Sequence, residues 1–452
     1  MITAYVTQKS SNVRFAKSIL RSQPRTAGNC KSYNVVVDSS QRFQTHMGFG
    51  GAFTEAAMIA VSVLPPDKRK QVIDAYFSKD GLCYNLARLP MHSTDFCPRP
   101  RVYIADGDAA LETFDVSWDA ARFDFYKECE AASGGFFTVL STWSPPAFMK
   151  DNNELQHGGK LLDEYKKPWA EYFCRFIEEM KKRGIRIDAM TVQNEPEAVQ
   201  RWESCIYTAT EEAEFIRDHL YPSLVAHGLD DTKIILWDHN RDAVVRRVLE
   251  SFAVEGVRDL VWGIGYHWYC CPKSDNLSTV HAICPEKALL LTECCVELAC
   301  DSTTGERQYA GEWEHGERYA KNIINDFNNY SQGWIDWNMY LDEEGGPTYV
   351  KNFCEAPIMI DKRTGEVLYM SSYYYIGHFS KFIKEGAVRL YCGNDCDKQL
   401  YTVAYQNPDG CKIIVIENTS SRRREIVLDI DGESTRFVIR PHAIATLVAD
   451  GK

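Results

Sequence analysis

With 452 residues, 45% of them hydrophobic and 25% charged, the chain has the composition of a globular protein large enough for one big domain and a smaller one. Its formal net charge of −12 at pH 7 argues against a nucleic-acid partner, because neutralising a phosphate backbone needs a basic stripe; the dense basic run Arg422 to Arg424 is short and reads as a hairpin edge. The first residues, MITAYVTQKS, have no cationic start followed by an apolar stretch, and no window approaches about 18 uninterrupted apolar residues. The expectation is a cytoplasmic protein with no integral membrane segment.

The 16 cysteines are scattered through a large chain rather than spaced as a small disulfide framework, so reduced thiols are expected. Cys392 and Cys396, in CGNDC, lack the second ligand pair that a zinc site requires. The N-x-S/T sequons at Asn276, Asn329 and Asn418 carry meaning only for a secreted protein.

In chain order, the first 45 residues are strand-like (KSYNVVVD) and too few to fold alone. From Gly48 onward, short runs rich in β-branched and aromatic residues alternate with amphipathic stretches of helical length. The runs are GFGGAFT, YNLARLPM, FFTVLSTW, IDAMTVQNEP, KIILWDHN, VWGIGYHWY, ALLLTECC and GWIDWNMYL, which makes eight. Helical patterns such as KPWAEYFCRFIEEMKKRG and TEEAEFIRDHLYPSLVAHG separate them, each with Gly at its C-terminal end. Eight strand–helix units predict an α/β fold, a (β/α)8 TIM barrel with long insertions, over residues 46–385. The competing fold, a doubly wound open sheet, would carry a phosphate-binding glycine loop, and GFGGAF lacks its third glycine and following helix.

From about Ala387 the pattern changes to short alternating strands: RLYCGND, QLYTVAYQNPDG, CKIIVIENTS, REIVLDIDGES and TRFVIRPHAIATLVA. A small all-β sandwich is expected, built from residues 1–45 and 386–452 at the two ends of the chain.

A barrel of this kind holds its active site at the C-terminal ends of the strands. There the proposed strands deliver Arg88 and Asp95, Trp143, Asn194 and Glu195, Asp238 and His239, His267, Trp268 and Tyr269, Glu293, and Trp337 and Asn338. Glu195 and Glu293 each end an apolar run directly, so each is expected to be partly desolvated and tunable by its neighbours. A carboxyl that protonates a leaving oxygen, paired with a carboxylate that attacks the anomeric carbon, is the equipment of glycoside hydrolysis. Trp143, Trp268 and Trp337 offer flat faces for a sugar ring, or else fill the core. His239 and His267 read as hydrogen-bonded site residues or as metal ligands, without the spacing of a known metal motif. Cys294, beside Glu293, reads as packing or support rather than as a nucleophile.

Taken together and in order, GFGGAFTEAA, YNLARLPMHSTDF, TWSPPAFMK, TVQNEPEAVQRWESC, HWY, LLTEC, GWIDWNMYLDEEGGPTYVKNFCEAPI and YYYIGHFSKFI resemble glycoside hydrolase family 30, the glucosylceramidase-like family. The resemblance implies a retaining β-glycosidase that needs no cofactor and no metal, with Glu195 as general acid/base, Glu293 as nucleophile and a carboxyl separation of roughly 5–5.5 Å. It also implies that Asn194 holds the sugar 2-hydroxyl, that Asp95, Trp143 and Trp337 bind the glucosyl ring with Asn352 nearby, and that Arg88, His267 and Tyr269 surround the nucleophile. That cation and phenol are expected to keep Glu293 ionised while Glu195 stays protonated. The short polar stretch EAVQRWESC after Asn194-Glu195-Pro196 is unlike a platform for a ceramide tail and is similar to the branch that cleaves β-1,6-glucans. The expected substrate is a β-glucoside or β-1,6-gluco-oligosaccharide, with glucosylceramide and β-xylosides as alternatives, and a catalytically inactive sugar-binding barrel as the reading outside enzymes.

Overall fold

A computed structural model describes residues 1–20, 32–270, 272–298, 308–396 and 398–451. The eight apolar runs are eight parallel strands closed into a barrel. In chain order they are Gly48–Ala52, Leu86–Met91, Phe137–Thr142, Ala189–Thr191, Lys233–Asn240, Val261–His267, Ala288–Glu293 and Gly333–Asn338, the last pairing with the first in parallel register to close the ring. Both faces of such strands are covered, which is why they read as near-continuous apolar runs rather than as alternating ones. Leu86, Val139, Ala189, Ile235, Leu290 and Ile335, one from each of six strands, form a cluster separate from the main core. The sixth strand contributes glycine to this crowded level: a Cβ on Gly265 would meet Ile235 and Thr292 at 3.0 Å.

The helices form where apolar residues recur at helical spacing. Lys166–Lys182 buries Trp169, Tyr172, Phe173, Phe176, Ile177 and Met180 along one face and places Lys181 and Lys182 in its last turn, where cations suit the helix dipole. The stretch from Thr208 is not the single helix its pattern predicts. It runs as Ala209–Phe215, a wide turn over Ile216–Leu220, and Tyr221–Ala226. Pro222 cannot donate an N–H to the preceding turn, and the wide turn accommodates the missing bond. Its start is set by the capping box between Thr208 and Glu211.

The second unit is a nine-stranded sheet drawn from both ends of the chain, in the order 16–20, 2–8, 443–449, 412–418, 400–406, 388–394, 32–45, 424–430 and 433–439. The N-terminal strand Ser32–Thr45 is interior to it, antiparallel to Val388–Asn394 and parallel to Arg424–Ile430. The stretch TRFVIRPHAIATLVA is two strands rather than one, because the chain turns at Arg440, Pro441 and His442. Val35, Val37, Leu390, Ile414, Ile416, Ile426, Leu428 and Leu447 fill the sandwich core. Of the CGNDC cysteines, Cys392 packs against that core, and Arg424 donates to the Cys396 sulfur at 2.8 Å.

Candidate active site

A pocket of about 350 Å³ opens at the C-terminal ends of the barrel strands, and Asp95, Trp143, Asn194, Glu195, Tyr269, Glu293, Trp337 and Asn352 line it. Eight of the twelve sequence-predicted residues therefore meet at one cavity. A larger hollow of about 660 Å³, bounded by Lys181, Arg186, Asp230 and Asp231 near the N-terminal ends of the strands, holds none of them.

Arg88 and His267 lie beneath the pocket floor, fully buried, and both are organised by Asp238. Asp238 Oδ2 accepts from Arg88 at 2.8 Å and from the Thr191 hydroxyl at 2.7 Å; its Oδ1 accepts from the Thr292 hydroxyl at 2.5 Å and faces His267 Nε2 at 3.0 Å. Burial raises the Asp238 carboxyl, but Arg88, His267 and the Thr292 hydroxyl outweigh it and hold the group ionised, below its ordinary range. The sequence places Asp238 at a strand end but gives it no role. Its signal was a carboxylate directly after the apolar run IILW, the pattern already read at Glu195 and Glu293.

From this hub the two arms diverge. Arg88 forms a close ion pair with Glu293 Oε2 and donates to Asn194 Oδ1 at 2.8 Å. The Tyr269 hydroxyl donates to the other carboxylate oxygen, Glu293 Oε1, at 3.0 Å. Both oxygens of Glu293 are thus oriented. On the other arm, His267 Nδ1 lies 3.2 Å from Glu195 Oε1 and His239 Nδ1 lies 3.5 Å from the same oxygen, while Gln200 Nε2 donates to Glu195 Oε2 at 3.2 Å. The Glu195 backbone has φ +48°, a left-handed conformation costly for a residue with a Cβ, and its N–H is held by Asp238 O at 3.0 Å.

These contacts reverse one expectation. Burial raises Glu195, but His239 and His267 pull it well below the carboxylate range; Glu293 is raised by burial, with His267 and Arg88 only partly offsetting. Glu195 is thus the more acidic of the two, contrary to the expected protonated Glu195 and ionised Glu293. The reason is that Arg88 is shared with Asp238, whereas two imidazoles face Glu195. The proton sits instead on His267, whose pKa is about 9: burial lowers it, and Glu293, Asp238 and Glu195 raise it further.

The walls are aromatic and polar. Trp143 and Trp337 stack at 4.9 Å and 24°, with the Arg88 guanidinium 4.8 Å and 5.5 Å from their rings. Asn352 Nδ2 donates to Asp95 Oδ2 at 2.6 Å, and burial together with Glu293 raises the Asp95 carboxyl well above its usual range. Glu203, also missed by the sequence reading, ties two rim loops: it accepts from Ser93 at 2.6 Å and from Tyr349 at 2.8 Å.

Two predicted supporting residues are elsewhere. Trp268 packs against Tyr319 and Trp334 on the outer side of the barrel and donates to Cys295 O at 3.2 Å, so it is a core residue and not a sugar platform. Strand alternation separates it from its neighbours His267 and Tyr269. Cys294 is buried with its sulfur 3.5 Å from Asp336 Oδ1, a packing position. Among the described residues, Glu195, His239 and His267 offer ligand atoms within 4.8 Å of one another, the one grouping there with the makings of a metal site. In it two imidazoles hydrogen-bond or face a carboxylate that the chemistry needs for itself.

A barrel carrying two buried, differently tuned carboxylates under a stacked aromatic wall is the apparatus of an O-glycosyl hydrolase. The model of the glycosyl hydrolase family 30 TIM-barrel domain matches residues 46–383 and that of the family 30 beta sandwich domain matches residues 386–447. The chain belongs to glycosyl hydrolase family 30. Relatives include the lysosomal acid glucosylceramidase of Mus musculus, 31% identical over 86% of this chain and 77% of that one, and an endo-1,6-beta-D-glucanase of Neurospora crassa, 26% identical over 90% and 86%. The crystal structure of SrfJ from Salmonella typhimurium superposes with a TM-score of 0.92 at 29% identity, covering both chains in full. Among the described residues no helix is long and apolar enough to cross a membrane.

Proposed function

We propose that the protein is a retaining β-glucosidase that releases single glucosyl units from β-glucosides or β-1,6-linked gluco-oligosaccharides, with Glu293 as nucleophile and Glu195 as acid/base. The observation that carries the assignment is the asymmetry of support: Arg88 and Tyr269 fix both oxygens of Glu293, while Glu195 is bonded to a protonated imidazole. A nucleophile must present one oriented oxygen, and an acid must have a proton within reach.

In the first step a Glu293 oxygen forms a bond to the anomeric carbon as the glycosidic C–O bond breaks, and the leaving oxygen takes a proton that Glu195 relays from His267 Nδ1, leaving Glu195 ionised and His267 neutral. In the second, Glu195 accepts a proton from water as that water's oxygen displaces Glu293 and passes it back to His267 Nδ1, restoring both carboxylates and the imidazolium. Asn194, held by Arg88, is placed for the sugar 2-hydroxyl, and Asp95 and Asn352 for hydroxyls at the closed end. Gln200, Arg201, Trp202 and Glu297 also line the pocket, polar and aromatic groups that suit a second sugar better than an acyl chain.

The test is hydrolysis of aryl β-glucosides, gentiobiose and glucosylceramide, with the product anomer followed by proton NMR. Initial release of β-glucose, gentiobiose turnover exceeding that of glucosylceramide, and formation of β-glucosyl azide by Glu195→Ala in azide are expected. Initial α-glucose would overturn the retaining mechanism, preference for the glycolipid would overturn the sugar leaving group, and full activity in Glu293→Ala would overturn the nucleophile.

A further inference from the structure

Two thiols meet at the rim of this pocket in an arrangement the hydrolytic reading does not use. Cys295 follows Glu293 by two residues where the chain leaves the seventh barrel strand, and Cys354 follows Asn352 by two. The short strands Val296–Glu297 and Cys354–Glu355 pair antiparallel, with Glu297 opposite Cys354, which brings the cysteines together diagonally. Their sulfurs are 3.1 Å apart, both thiols are free, and both line the pocket wall. The Tyr269 hydroxyl reaches the Cys295 sulfur at 3.4 Å as well as Glu293 Oε1 at 3.0 Å.

We propose that Cys295 and Cys354 form a modification site at which a small organic disulfide converts the two thiols into a cystine that bridges the nucleophile's strand to the loop carrying Asn352. The exchange balances. The sulfur of one cysteine attacks a sulfur of the reagent RSSR, whose S–S bond breaks and releases one RSH. The second cysteine then attacks the protein-bound sulfur and expels the other RSH. The protein loses two thiol protons and two electrons, and the reagent is reduced to two thiols.

The geometry assigns an order and a consequence. Cys295 donates its S–H to the Cys354 sulfur. That bond lowers the Cys354 pKa, though burial and the nearby Glu297, Asp95 and Glu293 leave it raised; burial, Cys354 and Glu297 hold Cys295 well above the usual thiol range, and burial, Cys295 and Glu293 hold Tyr269 well above the usual phenol range. Cys354 is therefore the first attacker, and the reaction quickens as pH rises and its thiolate fraction grows. Closing the bond to about 2.0 Å draws the two walls together by about 1 Å. It moves a sulfur touching Tyr269 and a backbone two residues from Asn352, and misplacement on that scale lowers turnover by up to about 100-fold.

The protein, incubated with oxidised glutathione and mapped without reduction, is expected to yield a linked Cys295–Cys354 peptide while aryl β-glucoside hydrolysis falls by up to about 100-fold. Dithiothreitol should restore the activity. Cys354→Ala should lose the response to oxidant whatever its starting activity, Cys295→Ala should stop at a glutathione adduct on Cys354 with no linked peptide, and Cys270→Ala should keep the response. No linked peptide in the wild type, glutathione adducts elsewhere with inactivation persisting in Cys354→Ala, or a linked peptide with undiminished hydrolysis would each overturn the proposal. The bridge is read by mass, so its failure is distinct from failure of the glycosidase reading.

Discussion

Asp238 decides how the charges of the site are distributed. It touches no sugar in the proposed arrangement, yet it holds Arg88 toward Glu293 and His267 toward Glu195. Replacing it with Asn keeps the shape, removes the anion shared by the two cations, and leaves their donors mispaired. Asp238→Asn is expected to lower kcat by about 10- to 100-fold with a smaller change in KM, as for other groups that orient catalytic residues from behind. The same substitution should move the alkaline limb of the pH profile. The proposed mechanism requires Glu293 ionised, a condition lost as pH falls through its raised pKa, and a proton on the His267–Glu195 unit, lost as pH rises through about 9. The wild-type profile of kcat/KM should thus be bell-shaped, with its acid limb above that of an ordinary carboxylate. Without the Asp238 charge His267 holds its proton less firmly, and the alkaline limb shifts to lower pH. An unmoved alkaline limb in Asp238→Asn would assign that limb to another group. Because the acid/base chemistry is carried by side chains, prolonged dialysis against EDTA is expected to leave the rate of aryl β-glucoside hydrolysis unchanged.

At the scale of elements, the eighth barrel strand carries a second buried acid, Asp336, facing away from the pocket toward the helix Trp313–Asn328. Its Oδ1 accepts from Tyr319 at 2.7 Å and lies near the Cys294 sulfur, while Oδ2 has no protein partner. Burial pushes its pKa to about 7, against the hydrogen bonds from Tyr319 and Cys294. Between roughly pH 4 and 7 the folded protein keeps a proton that the unfolded chain releases, so this group makes stability fall as pH rises through that window, by up to about 4 kcal/mol. Asp336→Asn should flatten the decline, measured as Tm or urea midpoint at pH 5 and pH 8; an unchanged pH slope would mean that Asp336 stays ionised. The strands themselves were legible from sequence, since a parallel strand buried on both faces is a continuous apolar run and its end is marked by the first polar residue. Which face each residue occupies was less legible: His267, Trp268 and Tyr269 are successive, yet only strand alternation, fixed by pairing, sends Trp268 outward. Gln200 and Glu203 sit in a loop without periodicity, where nothing in the sequence distinguishes a rim contact from a solvated side chain. The proton assignment depended on how Arg88 is divided between Asp238 and Glu293, a three-body geometry that no spacing along the chain encodes.

Across the whole molecule, the sandwich and barrel share a buried polar seam rather than a linker. Gln44, from the N-terminal strand, donates to Phe327 O at 2.6 Å and Ser331 O at 3.0 Å in the barrel and accepts from Arg389 at 2.8 Å. Arg389 in turn lies 3.7 Å over the Phe43 ring. Asn328 reaches Thr402 O at 2.9 Å, and Thr446 donates to His378 O at 2.7 Å. Separating the two units would strand these buried donors and acceptors, each at a cost of about 1–3 kcal/mol, in addition to the exposed apolar surface around His46, Phe49, Phe327 and Tyr405. The seam therefore couples their unfolding. Thermal denaturation followed by far-UV circular dichroism and by loss of glycosidase activity should give coincident single transitions. Gln44→Ala should lower both together by several degrees, because it removes one side of the seam from each unit. Two resolved transitions in the wild-type protein, with activity tracking only one, would show the sandwich to be an independent domain and the seam to be incidental.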